Sequence, residues 1–335
     1  MKAKFIILVI LLCPSIATAQ DKPSIPAVDR LRLAEAFRLA DSVGNDVWKD
    51  WNKAPFAVLL VTPELEFLLR HPAPSKDFAP LGYDQLLKSE VHYRKRTQST
   101  RFLATFPAIK GSMVSTIVVG QAENTSARTS TPWVVTLLHE HFHQLQYSQP
   151  TYYADVEALN LSRGDQTGMW MLNFAFPYDK KEVQDQFVVL SKLLVETIQA
   201  SKSDRSLKLG QYLRARQEFQ RAIAPDEYRY LSFQLWQEGI ARYTEYQVAK
   251  LAGAKFKVSK EFRALPDYVS FAQTAAAIRE RIFKQMATQN LADSRREVVY
   301  PFGAAEGLLL DMISPHWKSR YFVDKFDLAR YYAKR

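Results

Sequence analysis

Cysteine is nearly absent from this chain of 335 residues, which contains only Cys13. That residue falls in the segment 1–19, which has the pattern of a secretory signal peptide. Basic residues precede an apolar run at 5–12, and Ala17 and Ala19 form a small-x-small cleavage site. We therefore expect export to the periplasm or the extracellular space and a mature protein that begins at Gln20. Such a protein has no disulfide, no thiolate metal ligand and no cysteine nucleophile.

Long apolar runs and dense basic clusters are also missing. The apolar stretch at 5–12 is far shorter than the roughly 20 residues that a membrane-spanning helix needs. The net charge is +10, and removal of Lys2 and Lys4 leaves +8, but the densest basic run is only the three residues 94–96. A nucleic-acid groove combines clustered basic residues with stacking aromatics, so we expect no nucleic-acid partner. The excess positive charge favours anionic envelopes or acidic substrates instead.

Hydrophobic periodicity predicts an α+β fold that is predominantly helical. With 47% hydrophobic residues, the chain can bury a large core. Short β-branched or aromatic runs predict a small sheet with strands at 57–62, 65–69, 102–106 and 115–120. Helical spacing predicts helices at 30–51, 182–200, 207–223, 227–251, 268–287 and 302–313, with a polar loop at 121–131. We therefore expect an N-terminal α/β part at 20–121 and a mainly helical part at 122–335, with a cleft between them.

The strongest chemical signal is the string HEHFH at 139–143. His139 and His143 are four residues apart, so on a helix their imidazoles face one side and can reach one ion. Glu140, next to the first histidine, is placed to accept a proton from a metal-activated water. Thr131 and Pro132, a hydroxyl N-cap and a proline at the first helical position, predict where this helix begins.

The helical projection separates His141 from the other two histidines. At about 100° per residue, His139, His143 and Glu140 fall on a polar arc, whereas His141 falls among aliphatic residues. We therefore expect His141 to be a buried, hydrogen-bonded core residue and no metal ligand. A chance match on an amphipathic helix is the alternative interpretation of the whole motif.

Two segments resemble a known group of enzymes. The string TLLHEHFHQL at 136–145 resembles the extended zinc-helix pattern of the zincin metallopeptidases, although an uncharged residue is usual at position 141. The string LWQEGIARYTE at 235–245 resembles the second helix of the gluzincins, to which thermolysin-like and aminopeptidase-like folds belong. This resemblance implies that Glu238 is the third ligand, and zinc held by two histidines does require one more protein ligand and an open position. Glu238 follows His143 by 95 residues, a longer spacing than in the best-known gluzincins, and a solvent-exposed glutamate is the alternative.

Residues near Glu238 agree in part with the gluzincin pattern and depart from it at one position. Gly239 and Ala241 are small enough to let the second helix approach its neighbour closely. Thermolysin-like enzymes carry an acid four residues after the ligand glutamate to orient a histidine, but Arg242 stands there in this chain. Glu245, on the same helical face as Glu238, is the candidate to replace that acid.

A candidate oxyanion donor is Tyr300, in the string YPFG at 300–303. Several gluzincins place a tyrosine at the start of a late helix, and hydrolysis needs such a donor. His316 is the second candidate, and a core or surface role for Tyr300 stays open. By the same analogy, 115–121 would be the sheet edge at the cleft, where an extended peptide can pair. The aromatic string at 168–178 favours core packing over a substrate wall.

Together these features predict a gluzincin-like zinc hydrolase, one catalytic unit that acts on a peptide or protein substrate. Zn²⁺ would be bound by His139, His143 and Glu238, with Glu140 as general base and Tyr300 assisting the oxyanion. One alternative is a binding or scaffold protein of the cell envelope that keeps the fold without turnover, against which an intact Glu140 argues. Another is a zinc hydrolase that acts on a non-peptide amide, since the metal chemistry is shared. The oligomeric state is left open.

Overall fold

The structure, a computed structural model, describes residues 23–332. The predicted signal peptide, its cleavage site and Cys13 lie outside these residues, so export stays a prediction. Within residues 23–332, no helix is long and apolar enough to cross a membrane.

The described chain has a predominantly helical α+β fold, as the sequence predicts. The helices are α1 Ala27–Val47, α2 Ser130–Tyr147, α3 Tyr152–Ala158, α4 Trp170–Asn173, α5 Lys181–Gln199, α6 Arg205–Ala222, α7 Pro225–Gln234, α8 Ile240–Lys255, α9 Lys260–Arg263, α10 Phe271–Thr288, α11 Leu291–Ser294 and α12 Val299–Ile313. The strands are β1 Val58–Val61, β2 Leu65–Leu69, β3 Ala79–Asp84, β4 Ser89–Lys95, β5 Leu103–Phe106 and β6 Thr116–Gly120.

The six strands form one mixed sheet in the order β3-β4-β2-β1-β6-β5. Strands β1 and β6 pair in parallel, and every other neighbouring pair is antiparallel. Side chains alternate between the two faces of a strand. In β1, Val58 and Leu60 therefore join the main core, while Leu59 and Val61 join a smaller cluster on the opposite face. Burial on both faces explains why this strand is apolar at every position.

Two features of the sheet differ from the sequence prediction. Strands β3 and β4 were not predicted, because Pro80 and Gly82 disfavour a strand and β4 is rich in polar residues. Proline is tolerated in β3 because β3 is an edge strand, with a register shift between Pro80 and Gly82. The predicted edge at 115–121 is wrong, since β6 pairs with β1 on one side and with β5 on the other. The edge on that side of the sheet is β5.

The predicted helices are present with shifted ends, and the start of α2 is capped differently from the prediction. Thr131 is not the N-cap, since α2 begins at Ser130. The cap comes from a distant loop: Asp267 accepts a hydrogen bond of 2.9 Å from the Ser130 amide, and the Thr131 hydroxyl donates to the Val269 carbonyl at 2.6 Å. A carboxylate at this position also complements the helix dipole. The segment before α10 therefore anchors α2.

Helix α2 lies between the sheet and the other helices. It contacts β5 and β6 on one side and α1 and α8 on others, within one continuous hydrophobic core. Just after α1, the Trp48 ring stacks on Phe142 of α2 at 4.9 Å between centroids, and its indole nitrogen donates to Thr244 of α8 at 2.9 Å. The sheet edge, α2 and α8 are thereby held around one cleft.

Candidate metal centre and cleft

His139 and His143 lie on the side of α2 that faces α8. Both are buried, with 5% and 4% exposure, and their Nε2 atoms are 3.2 Å apart. A four-residue separation on a helix puts the two rings one turn apart on the same face. The spacing in the sequence therefore produces the predicted pair.

Glu238 reaches this pair from the second helix. Helices α7 and α8 are joined by a π-helical turn, Leu235–Gly239, which contains Glu238. The Glu238 Oε2 atom is 3.4 Å from His143 Nε2 and 3.8 Å from His139 Nε2. A π-helical turn shifts the phase of the side chains that follow it, and such turns are frequent at functional sites.

The three side chains fit a tetrahedral metal ion. Zinc bonds of about 2.0–2.1 Å at tetrahedral angles place neighbouring ligand atoms about 3.3 Å apart. The distances in this site, from 3.2 to 3.8 Å, lie close to that value, and one ligand atom from each residue falls within 4.8 Å of the others. Two imidazoles and one carboxylate are also a donor set typical of zinc.

Charges in the site are strongly coupled when no ion is bound. Burial disfavours the charged form of His139, but contacts with Glu238 and Glu245 outweigh this effect and raise its pKa to about 9. Burial acts against the charged form of Glu238 too, yet the neighbouring histidines hold its pKa well below its usual range. A metal ion bound by these residues would therefore have to displace a proton from His139, which would couple metal binding to pH.

A carboxylate supports His139 from behind. Glu245 Oε1 is 2.9 Å from His139 Nδ1, although the N–H direction does not satisfy hydrogen-bond geometry. A small rotation of the ring would complete the bond. Glu245 is itself bonded to Arg242 at 2.5 and 2.7 Å and to Arg281 at 3.3 Å. Glu245 is buried, and these partners lower its pKa to about 2 despite that burial, so it stays charged, in the position the sequence assigned to it.

An amide, not a carboxylate, orients His143. Gln146 Oε1 lies 2.7 Å from His143 Nδ1. The orientation of this amide is set because its Nε2 donates to the Gln237 carbonyl at 3.1 Å and to the Tyr321 hydroxyl at 2.8 Å. Its oxygen can therefore accept a hydrogen bond from Nδ1–H, and in that tautomer the Nε2 lone pair of His143 is free for a metal. The Gln237 Nε2 atom also lies 3.1 Å from the same Nδ1. Sequence reasoning missed Gln146, although it lies one turn after the second histidine.

Glu140 is fixed from the sheet. The Thr105 hydroxyl, on the edge strand β5, donates to Glu140 Oε2 at 2.7 Å. Glu140 is 6% exposed and lines the same cavity as His139. Thr105 lies 35 residues earlier in the chain, so no local pattern could have indicated this contact.

Tyr300 lies at the start of α12, close to the metal ligands. Its ring centroid is 6.3 Å from that of His139, and its hydroxyl accepts a hydrogen bond from Arg296 Nη2 at 3.0 Å. Arg296 Nη1 is also 3.6 Å from Glu238 Oε1. Burial and the charge of Glu238 raise the pKa of Tyr300 well above its usual value. The hydroxyl therefore stays protonated and can donate a hydrogen bond, while Arg296 holds its oxygen in place.

A glycine contact brings α12 to the ligand helix. A Cβ atom on Gly239 would lie 2.5 Å from the Cα atom of Gly303, and one on Gly303 would lie 2.6 Å from the Cα atom of Gly239. No side chain fits at either position, so the two backbones touch. The predicted close approach at Gly239 is confirmed, and it places Tyr300 one turn from the crossing.

His141 has the buried position that the helical projection predicts. Its ring stacks on Phe56 at 3.9 Å and on Trp51 at 5.4 Å between centroids. Its Nδ1 atom is 2.8 Å from Gln144 Oε1. Burial lowers its pKa to about 3, so His141 is neutral and faces away from the metal ligands.

Other sequence candidates lie away from the site. His316 is exposed at the beginning of a short 3₁₀ turn and does not line the cavity. In the string 168–178, Trp170, Phe176 and Tyr178 are buried in the main core and none of the string lines the cavity. Core packing is therefore confirmed for these three aromatic residues.

A cavity of about 580 Å³ opens onto the candidate centre. Its wall includes Leu103 of β5, residues of α2, and residues of α8, α10 and the start of α12. The ionisable side chains in the lining are those of His139, Glu140, Arg242, Glu245, Arg281, Glu297 and Tyr300. Of the three candidate ligands, His139 lines this cavity together with Glu140, and the space is of the size of a ligand pocket.

Comparison with known proteins adds no relative. No family model matches the chain, and neither a curated protein nor a solved structure matches it.

Proposed function

We propose that the chain is a zinc-dependent hydrolase of the gluzincin type that cleaves peptides or proteins. One observation carries the proposal: His139 and His143 of α2 meet Glu238 with their ligand atoms 3.2 to 3.8 Å apart, although Glu238 lies on another helix. The adjacent cavity contains Glu140, the residue that such an enzyme needs as a base. A chance HExxH string does not account for the third ligand or for Glu245 behind the first histidine.

The surrounding residues suit hydrolysis of an amide. When bound, Zn²⁺ supplies a Lewis acid that polarises a carbonyl and lowers the pKa of water. Glu140 accepts the proton of the attacking water and transfers it to the leaving amine. Because Thr105 binds its Oε2, Oε1 is the oxygen left for this transfer. The Tyr300 hydroxyl, oriented by Arg296, donates to the developing oxyanion.

The edge strand supports a peptide substrate over another amide. Strand β5 pairs with β6 on one side only, and Leu103 at its start lines the cavity. Its free backbone groups can pair with an extended peptide. Since Thr105 of the same strand holds Glu140, a peptide bound there would pass beside the base.

Metal content and a peptide-library digest test this proposal together. We expect about one zinc per chain, cleavage of library peptides by the wild type, and a Glu140→Gln variant that keeps zinc but loses turnover, because an amide cannot accept the proton. Glu90→Gln is the matched control, since Glu90 is exposed on β4, away from the cavity.

Three results would contradict the proposal in different ways. Full activity of Glu140→Gln would reject the assigned base. A zinc-loaded wild type that cleaves no peptide would favour a binding or scaffold protein. Cleavage confined to non-peptide amides would keep the chemistry and reject the substrate class.

A further inference from the structure

Two arginines lie on the cavity wall beside the candidate centre. Arg242 follows Glu238 by four residues, one turn along the helix, and Arg281 comes from α10. The guanidinium carbon of Arg242 is 5.5 Å from the centre of the Tyr300 ring. A group bound by this pair would therefore lie near Tyr300, the candidate oxyanion donor.

One carboxylate serves both of these cations. Arg242 Nη1 contacts Glu245 Oε2 at 2.5 Å, and Arg281 Nη2 contacts the same oxygen at 3.3 Å. Glu245 Oε1 also lies against the ring of His139. Since Glu238 also faces His139, the charge left over comes from the arginines: one carboxylate serves two guanidinium groups, which leaves positive charge uncompensated at this end of the cavity.

Most donors of the two guanidinium groups stay free within the described residues. Hydrogen bonds engage Nη1 of Arg242 and Nη2 of Arg281, whereas each group has three nitrogens and five N–H donors. The side chains of Arg242 and Arg281 are 22% and 49% exposed, and no remaining nitrogen of Arg242 is buried without a partner. The free donors are therefore accessible to solvent, and both residues line the cavity.

Among the described residues, no carboxylate of the wall other than Glu245 forms an ion pair with either arginine. Glu140 is bonded to Thr105 on the side of the sheet edge, and Glu297 lines the cavity near the start of α12. Burial lowers the pKa of Arg281; Glu245 opposes this effect and Arg242 adds to it. A second anion would relieve the repulsion between the two arginines.

We propose that Arg242 and Arg281 form a subsite that selects substrates with a carboxylate next to the cleaved bond. Guanidinium groups suit this ligand because their paired N–H donors match the two oxygens of a carboxylate. The location of the cleaved bond rests on the proposed function, but binding of the carboxylate does not require turnover. The carboxylate can come from a free peptide C-terminus or from an acidic side chain.

Four matched peptides distinguish these sources. One has a free C-terminus, the second is its C-terminal amide, the third is the amide with one aspartate, and the fourth has asparagine in that place. Their dissociation constants are measured by calorimetry with the zinc-loaded Glu140→Gln chain, which cannot consume them. We expect a carboxylate peptide to bind about tenfold or more tightly than its neutral partner, and the pair that shows the difference identifies the source.

Variants assign the preference to the arginines. Arg281→Gln should reduce the carboxylate preference at least threefold, about 0.65 kcal/mol, and zinc should remain because Arg242 still holds Glu245. Arg279→Gln is the matched control, since Arg279 is exposed on the same helix and does not line the cavity. Arg242→Gln is measured with its zinc content, because this change also removes a partner of Glu245.

Two outcomes would overturn the subsite. Equal binding of the carboxylate and neutral peptides would reject it, as would a preference that is unchanged in Arg281→Gln. The proposed function fails separately: a carboxylate preference without cleavage by the wild type would keep the subsite and reject the peptidase. Cleavage by the wild type without any carboxylate preference would keep the peptidase and reject the subsite.

Discussion

At the scale of single residues, the three histidines of α2 show how strongly position on a helix controls chemistry. His139 and His143 both face Glu238, and His139 also lines the cavity, whereas His141 lies between Phe56 and Trp51. Carboxylates raise the pKa of His139 to about 9, while burial lowers that of His141 to about 3. Three identical side chains within one helical turn and a half thus have two different roles.

Alanine substitutions should separate these roles. His139→Ala and His143→Ala each remove a ligand, so zinc should be lost. His141→Ala should keep about one zinc per chain but lower the free energy of unfolding by about 2–4 kcal/mol, because it empties a packed aromatic site. Elemental analysis and urea unfolding measure both effects. Zinc lost from the His141 variant alone would overturn the helical-face argument.

Tyr300→Phe tests the oxyanion donor. Removal of one such donor typically lowers kcat by on the order of 10²–10³, or about 3–4 kcal/mol. The loss should fall on kcat more than on KM, since the bond forms to charge that develops during the reaction. Zinc should be retained because the ring still packs, and steady-state kinetics on a cleaved library peptide measure the effect. His316→Ala is the control and should leave kcat unchanged, since His316 lies outside the cavity. Loss of activity in His316→Ala, with activity kept in Tyr300→Phe, would assign the oxyanion role to His316.

Spacing within one helix predicts residues that share it, and the resemblance adds Glu238 from a second helix, but neither indicates a partner from the sheet. His139, Glu140 and His143 follow from a four-residue spacing alone. Thr105, which holds Glu140, depends on a contact between residues 35 apart in the sequence, and a single hydroxyl has no periodic signature. Arg296 lies only four residues before Tyr300, so helical spacing could have indicated that contact.

At the scale of elements, the site depends on where two helices cross. The π-helical turn that contains Glu238 meets α12 at Gly239 and Gly303. Because neither glycine has a side chain, the two backbones touch, and this contact sets the distance between the helices. The same contact determines how far Tyr300 lies from Glu238.

Gly303→Ala should therefore disturb the centre from a distance. Its Cβ atom would lie 2.6 Å from backbone that cannot rotate away, so the helices must separate, at a cost of about 1–3 kcal/mol. Weaker zinc binding should accompany this loss, as measured by competition with a chelator. Gly210→Ala is the matched control: its nearest neighbour is the end of the Arg214 side chain at 3.7 Å, and alanine in a helix should stabilise by about 0.5–1 kcal/mol. Unchanged zinc affinity in Gly303→Ala would contradict this account.

The helices were easier to predict than the sheet, for a physical reason. Amphipathic helices show their buried face within one segment, as α5 and α10 do. Strand β4 has no such signature, because it gains its place by pairing with β2 and β3. The order of strands, and so the identity of β5 as the edge, depends on contacts that no segment encodes alone.

At the scale of the whole molecule, a buried ion pair connects α12 to the helices behind the site. Arg216 of α6 contacts Glu306 of α12 at 2.7 Å, and both are buried. Hydroxyls of Tyr212 and Tyr332 donate to the same Glu306 oxygen at 2.6 and 3.2 Å. Since α12 also carries Tyr300, this network fixes the helix that the centre uses.

Arg216→Met should destabilise the protein in a manner that depends on pH. Loss of the arginine leaves Glu306 buried without a cation, which typically costs about 3–5 kcal/mol near neutral pH. Burial already raises the pKa of Glu306, with Arg216 acting against this shift, so the variant should raise that pKa further. A carboxyl whose folded pKa is raised contributes its stability below the unfolded pKa and loses it as the pH rises through the folded pKa. The deficit relative to the wild type should therefore be larger at neutral pH than at a pH below 4.5, the ordinary pKa of a glutamate, as measured by urea unfolding at both pH values.

A second substitution separates charge from packing. In the double variant Arg216→Met with Glu306→Gln, the amide oxygen can still accept from Tyr212 and Tyr332, but no charge is buried. Much of the stability should return and the dependence on pH should disappear, because the titrating group is gone. Zinc content should match the wild type in both variants, since neither residue contacts the ligands. A deficit that is equal at both pH values, or that the second substitution does not reduce, would mean that Arg216 acts through its packing and not through its charge.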